Sequence, residues 1–244
     1  MSMKRLTGWM LAVTCALGAP AAWAQEDDNE GVPTDARVQI EDVPGLPRVL
    51  IIGDSISLGY TLPVRELLKG KANVHRPPAN CGGTIQGIRN IETWLGDGNW
   101  DLIHFNWGLW DINRRVNGKR NADGPITTTE EQYAKQLEKL VMRLKETGAT
   151  LVWASTTYVQ GGWGRRQGDD VRYNEIAREI MERHGVRIND LHALSATFPH
   201  FGEGPAGAPE MFTSKGNVHF TGIGSQRLAE QVATAIEQAL AARK

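Results

Sequence analysis

The sequence predicts an α/β protein in which a central parallel sheet carries helices on both faces. Two observations lead there. Arg48-Val49-Leu50-Ile51-Ile52 is an apolar, β-branched run that empties into Gly53-Asp54-Ser55, the pattern of a strand buried on both faces and followed by a tight turn. Further short apolar runs at residues 101–106, 150–155 and 186–191 are separated by helical patterns of about ten to fifteen residues. Parallel strands need crossovers of that length, and the crossovers cover the sheet.

Taken in order, the chain starts with Lys4 and Arg5, an apolar run from Trp9 to Leu17, and Ala22-Trp23-Ala24 before Gln25. This is the plan of a secretory signal cleaved after Ala24, so residues 1–24 are expected to be removed and the product to be secreted or periplasmic. Residues 25–47 are acidic and rich in Pro and Gly, and are expected to form a disordered or extended leader. The domain proper is expected over 48–244. After the first strand, residues 58–70 read as a helix, 72–75 as a short strand, 77–84 as a loop and 85–95 as a helix. Residues 113–126 are polar and basic and read as a surface loop. Thr127 to Thr129 offer N-caps to a long amphipathic helix through Lys145, which Gly148 stops. A Gly-rich basic loop at 160–168 precedes a helix over 171–185, and 222–243 forms the closing helix. No internal repeat is present.

Composition narrows the function classes. The formal net charge of −1 gives no electrostatic footing for nucleic acid or an anionic membrane. Nothing after Ala24 is apolar for long enough to span a bilayer. Once the signal is gone only Cys81 remains, so the expected mature chain has no intrachain disulfide and depends on its core for stability. His104, His184, His192 and His200 show no ligand spacing, and neither a metal nor a cofactor is expected.

Ser55 ends a buried strand on a tight strand-to-helix turn, the placement at which open α/β sheets present ligands to backbone N–H groups. Gly-Asp-Ser also suits a plain helix N-cap. His219, in Asn217-Val218-His219-Phe220-Thr221, moves the reading toward a nucleophile, because a serine hydroxyl needs a base to take its proton.

At these residues the chain resembles the SGNH (GDSL-type) hydrolase superfamily, a flavodoxin-like, three-layer esterase and lipase family. Four family blocks fall between Arg48 and Ala241. Gly53-Asp54-Ser55-Ile56-Ser57 matches the first and implies Ser55 as nucleophile. Asn80-Cys81-Gly82-Gly83-Thr84 resembles the second and implies Gly82, ahead of Gly83, as an oxyanion donor beside the Ser55 amide. The third departs: Gly108-Leu109-Trp110-Asp111 has tryptophan where the family has an asparagine, so Asn106 is expected to supply the amide from a shifted position. The fourth departs too, since Gly216 stands three residues before His219 where the family carries an aspartate. The Asn217 side chain or a backbone carbonyl is expected to orient the imidazole, and Asp190 is expected to cap a helix.

The resemblance implies an esterase working through an acyl-enzyme. Trp110 and Asp111 at the third block, with Trp163 and Arg165 in the Gly/Trp loop, are the expected substrate contacts. An exported chain with tryptophan-rich loops and no long apolar lid suits a small acyl group, such as acetyl, on a carbohydrate or another polar carrier. A lipolytic acyl hydrolase and a carbohydrate-binding pseudoenzyme are the alternatives. The oligomeric state is left open.

Overall fold

The computed structural model describes residues 34–243; the expected signal segment and the first part of the expected leader lie outside them. After a 3₁₀ turn (Thr34–Arg37) the elements are β1 (Arg48–Ile52), α1 (Ser55–Leu67), β2 (Asn73–His75), α2 (Thr84–Leu95) and β3 (Leu102–Phe105). Then come β4 (Arg115–Val116), β5 (Lys119–Arg120), α3 (Glu130–Lys145), β6 (Thr150–Ala154), α4 (Asp169–His184), β7 (Arg187–Asn189), α5 (Leu191–Ser195) and α6 (Gly222–Ala241).

Five strands form one parallel sheet in the order β2-β1-β3-β6-β7. The sheet grows one way from β1 to β2 and the other way from β1 to β3. The C-terminal ends of β1 and β3 therefore flank the switch point where doubly wound sheets open a crevice. Helices surround the sheet: α1 packs on α6, while α3 packs on both α2 and α4. Val49 to Ile52 are buried to the last side chain, as are Phe105, Trp107 and Trp153. That is why these strands read as continuous apolar runs rather than alternating ones. Gly59 lets α1 meet α6 closely, since a Cβ there would lie 3.0 Å from Ser225 Oγ.

The structure departs from the sequence reading in three places. Helix α1 begins at Ser55 itself and runs through Pro63, because the Asp54 side chain caps it at once by accepting from the Ile56 N–H at 3.0 Å. The expected strand over 186–191 ends at Asn189, because Asp190 caps α5 by accepting from the Ala193 N–H at 3.0 Å. Within the expected surface loop at 113–126, β4 and β5 pair as an antiparallel hairpin across Asn117 and Gly118, both at positive φ. Residues 38–47 have no helix or strand, but Asn73 clamps the segment by accepting from the Val43 N–H at 2.9 Å and donating to Val43 O and Leu46 O. Among the described residues no helix is long and apolar enough to cross a membrane.

Candidate active site

The tip of β1 places Ser55. Gly53 makes the turn possible, since a Cβ there would lie 2.9 Å from the Ser57 Cβ. Ser55 is the first residue of α1, so its backbone N–H has no partner within the helix and lies at the positive end of the helix dipole. Beneath the turn lies Arg76, only 1 % exposed. Its Nη1 donates to Ser57 Oγ (3.1 Å) and Thr61 Oγ1 (3.2 Å), its Nη2 to Gly53 O (3.3 Å) and Ala79 O (3.0 Å), and its Nε to Pro77 O (3.2 Å). Arg76 thus ties the first turn of α1 to the following loop. The sequence reading passed over it; the available signal was a lone arginine between a short buried strand and Pro77-Pro78.

The loop after β2 is stitched to β1 by the Cys81 N–H, which donates to Gly53 O at 3.2 Å. Gly82 has φ +58, a conformation glycine adopts without penalty. Its N–H donates to Asn80 Oδ1 at 3.1 Å, and the Gly83 N–H donates to Gln86 Oε1 at 3.1 Å. Both glycine amides are occupied in this state.

His219 arrives from the other end of the chain, on the segment before α6. Its Nε2 lies 2.9 Å from Ser55 Oγ across 164 residues of sequence. With the Ser55 hydroxyl donating to Nε2, the proton of the neutral ring sits on Nδ1. That Nδ1 is buried and has no hydrogen-bond partner among the described residues. Trp163, held at φ +48, meets the imidazole edge-on with centroids 5.5 Å apart, and the Arg120 guanidinium lies 4.7 Å from the Trp163 ring centroid. Burial first, then the charges of Arg165 and Arg120, pull the His219 pKa down to about 4. Burial raises the Asp54 pKa to about 6 against the Ile56 N–H and the charges of Arg165 and Arg76.

The remaining expected residues take other positions. The Asn217 Oδ1 accepts from the His219 backbone N–H at 3.0 Å and its Nδ2 donates to Ser214 Oγ at 3.3 Å; it shapes the turn below the imidazole and makes no hydrogen bond to the ring. The Asn106 Nδ2 donates to Ala154 O at 2.8 Å and Thr156 Oγ1 at 3.4 Å, so this amide fastens the tip of β3 to β6 instead of facing an oxyanion. Asp111 is 1 % exposed and accepts from Thr84 N and Oγ1. It anchors the N-terminus of α2 and offers no surface to a substrate; burial raises its pKa to about 6 against the hydrogen bonds of Thr84 and Thr128. Asp190 bonds to Ser155 and Arg178 and not to His219. Trp110 is half-buried. Arg165 is 3 % exposed, with Nε donating to Leu109 O at 2.8 Å and Nη1 to Trp163 O at 3.0 Å.

No protein-family model matches the sequence, and no curated protein matches it either. Solved structures do match in fold. An acetyl xylan esterase, AlAXEase, superposes with a TM-score of 0.63 at 17% identity, over 78% of this chain and 99% of its own. The lipase/acylhydrolase from Enterococcus faecalis gives 0.61 at 17% identity, over 79% and 96%. A GDSL-like lipase from Bacteroides thetaiotaomicron gives 0.58 at 14% identity, over 86% and 96%. With a five-stranded parallel sheet and helices on both faces, the chain has the fold of the SGNH (GDSL-type) hydrolase superfamily.

Proposed function

We propose that the protein is a serine esterase that removes a small acyl group, acetyl foremost, from a polar carrier such as a carbohydrate, and that it acts after export. The observation that supports this most is the 2.9 Å contact between Ser55 Oγ and His219 Nε2 at the switch-point edge of the sheet. His219 takes the Ser55 proton as Oγ attacks the ester carbonyl. The tetrahedral intermediate collapses as the ester C–O bond breaks, and the proton passes from Nε2 to the leaving alkoxide. Water, deprotonated by the same nitrogen, then attacks the acyl carbonyl; the bond to Ser55 Oγ breaks, Nε2 returns its proton to Oγ, and the acid leaves.

The oxyanion donors are the Ser55 N–H, at the start of α1, and the Gly82 N–H once the Asn80 carbonyl gives way to substrate oxygen. Asn80 thus holds the second donor in place until it is needed. Among the described residues no carboxylate orients His219, so the site works as a dyad, with Trp163 and the Asn217-shaped turn fixing the ring. A missing acid lowers turnover without removing the nucleophile and base.

A chain-length series of 4-nitrophenyl esters tests this reading. Acetate is expected to be hydrolysed faster than octanoate, and Ser55→Ala is expected to lose at least about a thousandfold in kcat/KM. A preference for octanoate would favour a lipolytic enzyme, and rates unchanged in Ser55→Ala would refute the serine mechanism.

A further inference from the structure

The two buried arginines near the site are satisfied very differently. Arg76 places all three of its nitrogens on carbonyl or hydroxyl oxygens. Arg165, equally withdrawn from solvent at 3 % exposure, uses Nε on Leu109 O and Nη1 on Trp163 O. Its Nη2 makes no hydrogen bond among the described residues. Among the described residues no carboxylate lies within ion-pair distance of Arg165, whereas Arg114 on the same side pairs with Asp169 at 2.9 Å.

A buried cation that makes no direct ion pair is poorly compensated; Asp54 is coupled to Arg165 only through its field, and the fold holds the guanidinium rigidly. Gly162 and Arg165 exchange backbone hydrogen bonds at 3.0 and 2.9 Å. A Cβ on Gly164 would lie 2.7 Å from Arg114 O, and one on Gly162 would lie 2.9 Å from Gly216 O. The loop is therefore wedged between two neighbouring segments and cannot carry Arg165 away. Burial lowers the guanidinium pKa only to about 9, which leaves it charged at neutral pH. Its field reaches both Asp54 and His219.

We propose that Arg165 anchors an oxyanion carried by the substrate, so that the esters this site takes are anionic close to the scissile bond. The proposal rests on the esterase reading above and names its substrate class. A guanidinium presents paired N–H donors that fit a carboxylate, sulfate or phosphate. It also accounts for an electrostatic oddity of the site. A hydrolase of this kind ordinarily sets a carboxylate beside the imidazole to support the cation formed on proton transfer; here two arginines oppose that cation and His219 Nδ1 has no acceptor. An anionic substrate adds negative charge beside Arg165, offsets it, and eases protonation of His219 while substrate is bound.

The test compares kcat/KM for three esters, each normalised to its hydroxide-catalysed rate: neutral 4-nitrophenyl acetate, 4-nitrophenyl hemisuccinate with the carboxylate on the acyl side, and 5-acetoxy-2-nitrobenzoate with it on the alcohol side. At least one anionic ester is expected to be preferred tenfold or more, and which one tells where the charge sits in the natural substrate. Arg165→Gln is expected to bring the ratio close to one, and Arg165→Lys to keep part of it. Both esters are read on one preparation, so the ratio does not depend on how much of a variant folds. If Arg165→Gln yields no active protein, the wild-type ratio and Arg165→Lys decide. Equal or slower hydrolysis of both anionic esters, or a preference that survives Arg165→Gln, overturns the proposal alone; failure to hydrolyse any of the three overturns the esterase reading and this proposal with it.

Discussion

Trp163 and His219 stand perpendicular, ring centroids 5.5 Å apart and planes at 89°, and the imidazole Nδ1 has no hydrogen-bond partner among the described residues. The indole does not take the Nδ1 proton as a carboxylate would, but its bulk can stop the imidazole from turning. Trp163 holds this place at φ +48, which a bulky side chain adopts only under constraint, and the constraint comes from the glycine-rich loop around it.

Trp163→Ala is accordingly expected to lower kcat on the order of 10- to 100-fold, since loss of alignment between base and nucleophile carries penalties of that size. KM is expected to change less, and Trp163→Phe to recover most of the loss. Steady-state kinetics on 4-nitrophenyl acetate separates the two parameters.

Putting an acid where the family carries one is not expected to help. Gly216 has φ +70, and a Cβ there would lie 2.9 Å from Gly161 O, so Gly216→Asp strains the backbone and collides with the Trp163 loop. Asn217→Asp leaves the side chain on the His219 backbone N–H, off the ring. Neither variant is expected to raise kcat, and Gly216→Asp is expected to lower the unfolding midpoint in urea by an amount worth at least about 1 kcal/mol.

The depressed His219 pKa sets a pH dependence. The base is the neutral ring, so kcat/KM is expected to hold as pH falls below the ordinary histidine range and to drop only near pH 4. Stability follows the same sign: the unfolded chain binds this proton near pH 6.5 and the folded chain does not until about pH 4. The contribution is present above 6.5 and lost as pH falls through 4, on the order of 3 kcal/mol in full. His219→Gln removes it, so urea unfolding at pH 7 and pH 4.5 is expected to show the wild type losing more stability in acid than the variant. His104, also depressed by burial, to about 3, acts in the same direction in both proteins.

Asp111 carries a structural prediction. Removing Asp111 leaves the buried Thr84 N–H unsatisfied at the start of α2, while the Thr84 hydroxyl keeps Gln136 Oε1 at 2.7 Å, so Asp111→Ala is expected to cost about 1–3 kcal/mol in urea unfolding. The loop bearing Gly82 is expected to loosen with it, which lowers activity on the neutral and the charged ester alike.

Much of this architecture was legible in the chain because burial on both faces writes itself as uninterrupted Val, Leu and Ile, as in Val49 to Ile52, and because Thr129 and Gly185 mark helix ends with local chemistry. The pairing of Ser55 with His219 was legible because both follow from motif and topology. Side-chain direction was not. Asp111 sits where the motif puts it and Asn106 two residues ahead of that motif, yet their partners, Thr84 and Ala154, come from distant segments that no local pattern specifies. The β4–β5 hairpin was within reach: Asn117-Gly118 is a strong two-residue turn signal, hidden by the polar character of its very short strands.

The most direct measurement is labelling with a fluorophosphonate probe followed by peptide mass mapping, because it needs no knowledge of the substrate. Wild type is expected to carry the adduct on Ser55, His219→Gln to label far more slowly, and Ser55→Ala not at all. A folded wild-type protein that stays unlabelled, or one labelled on a different serine, would contradict the account.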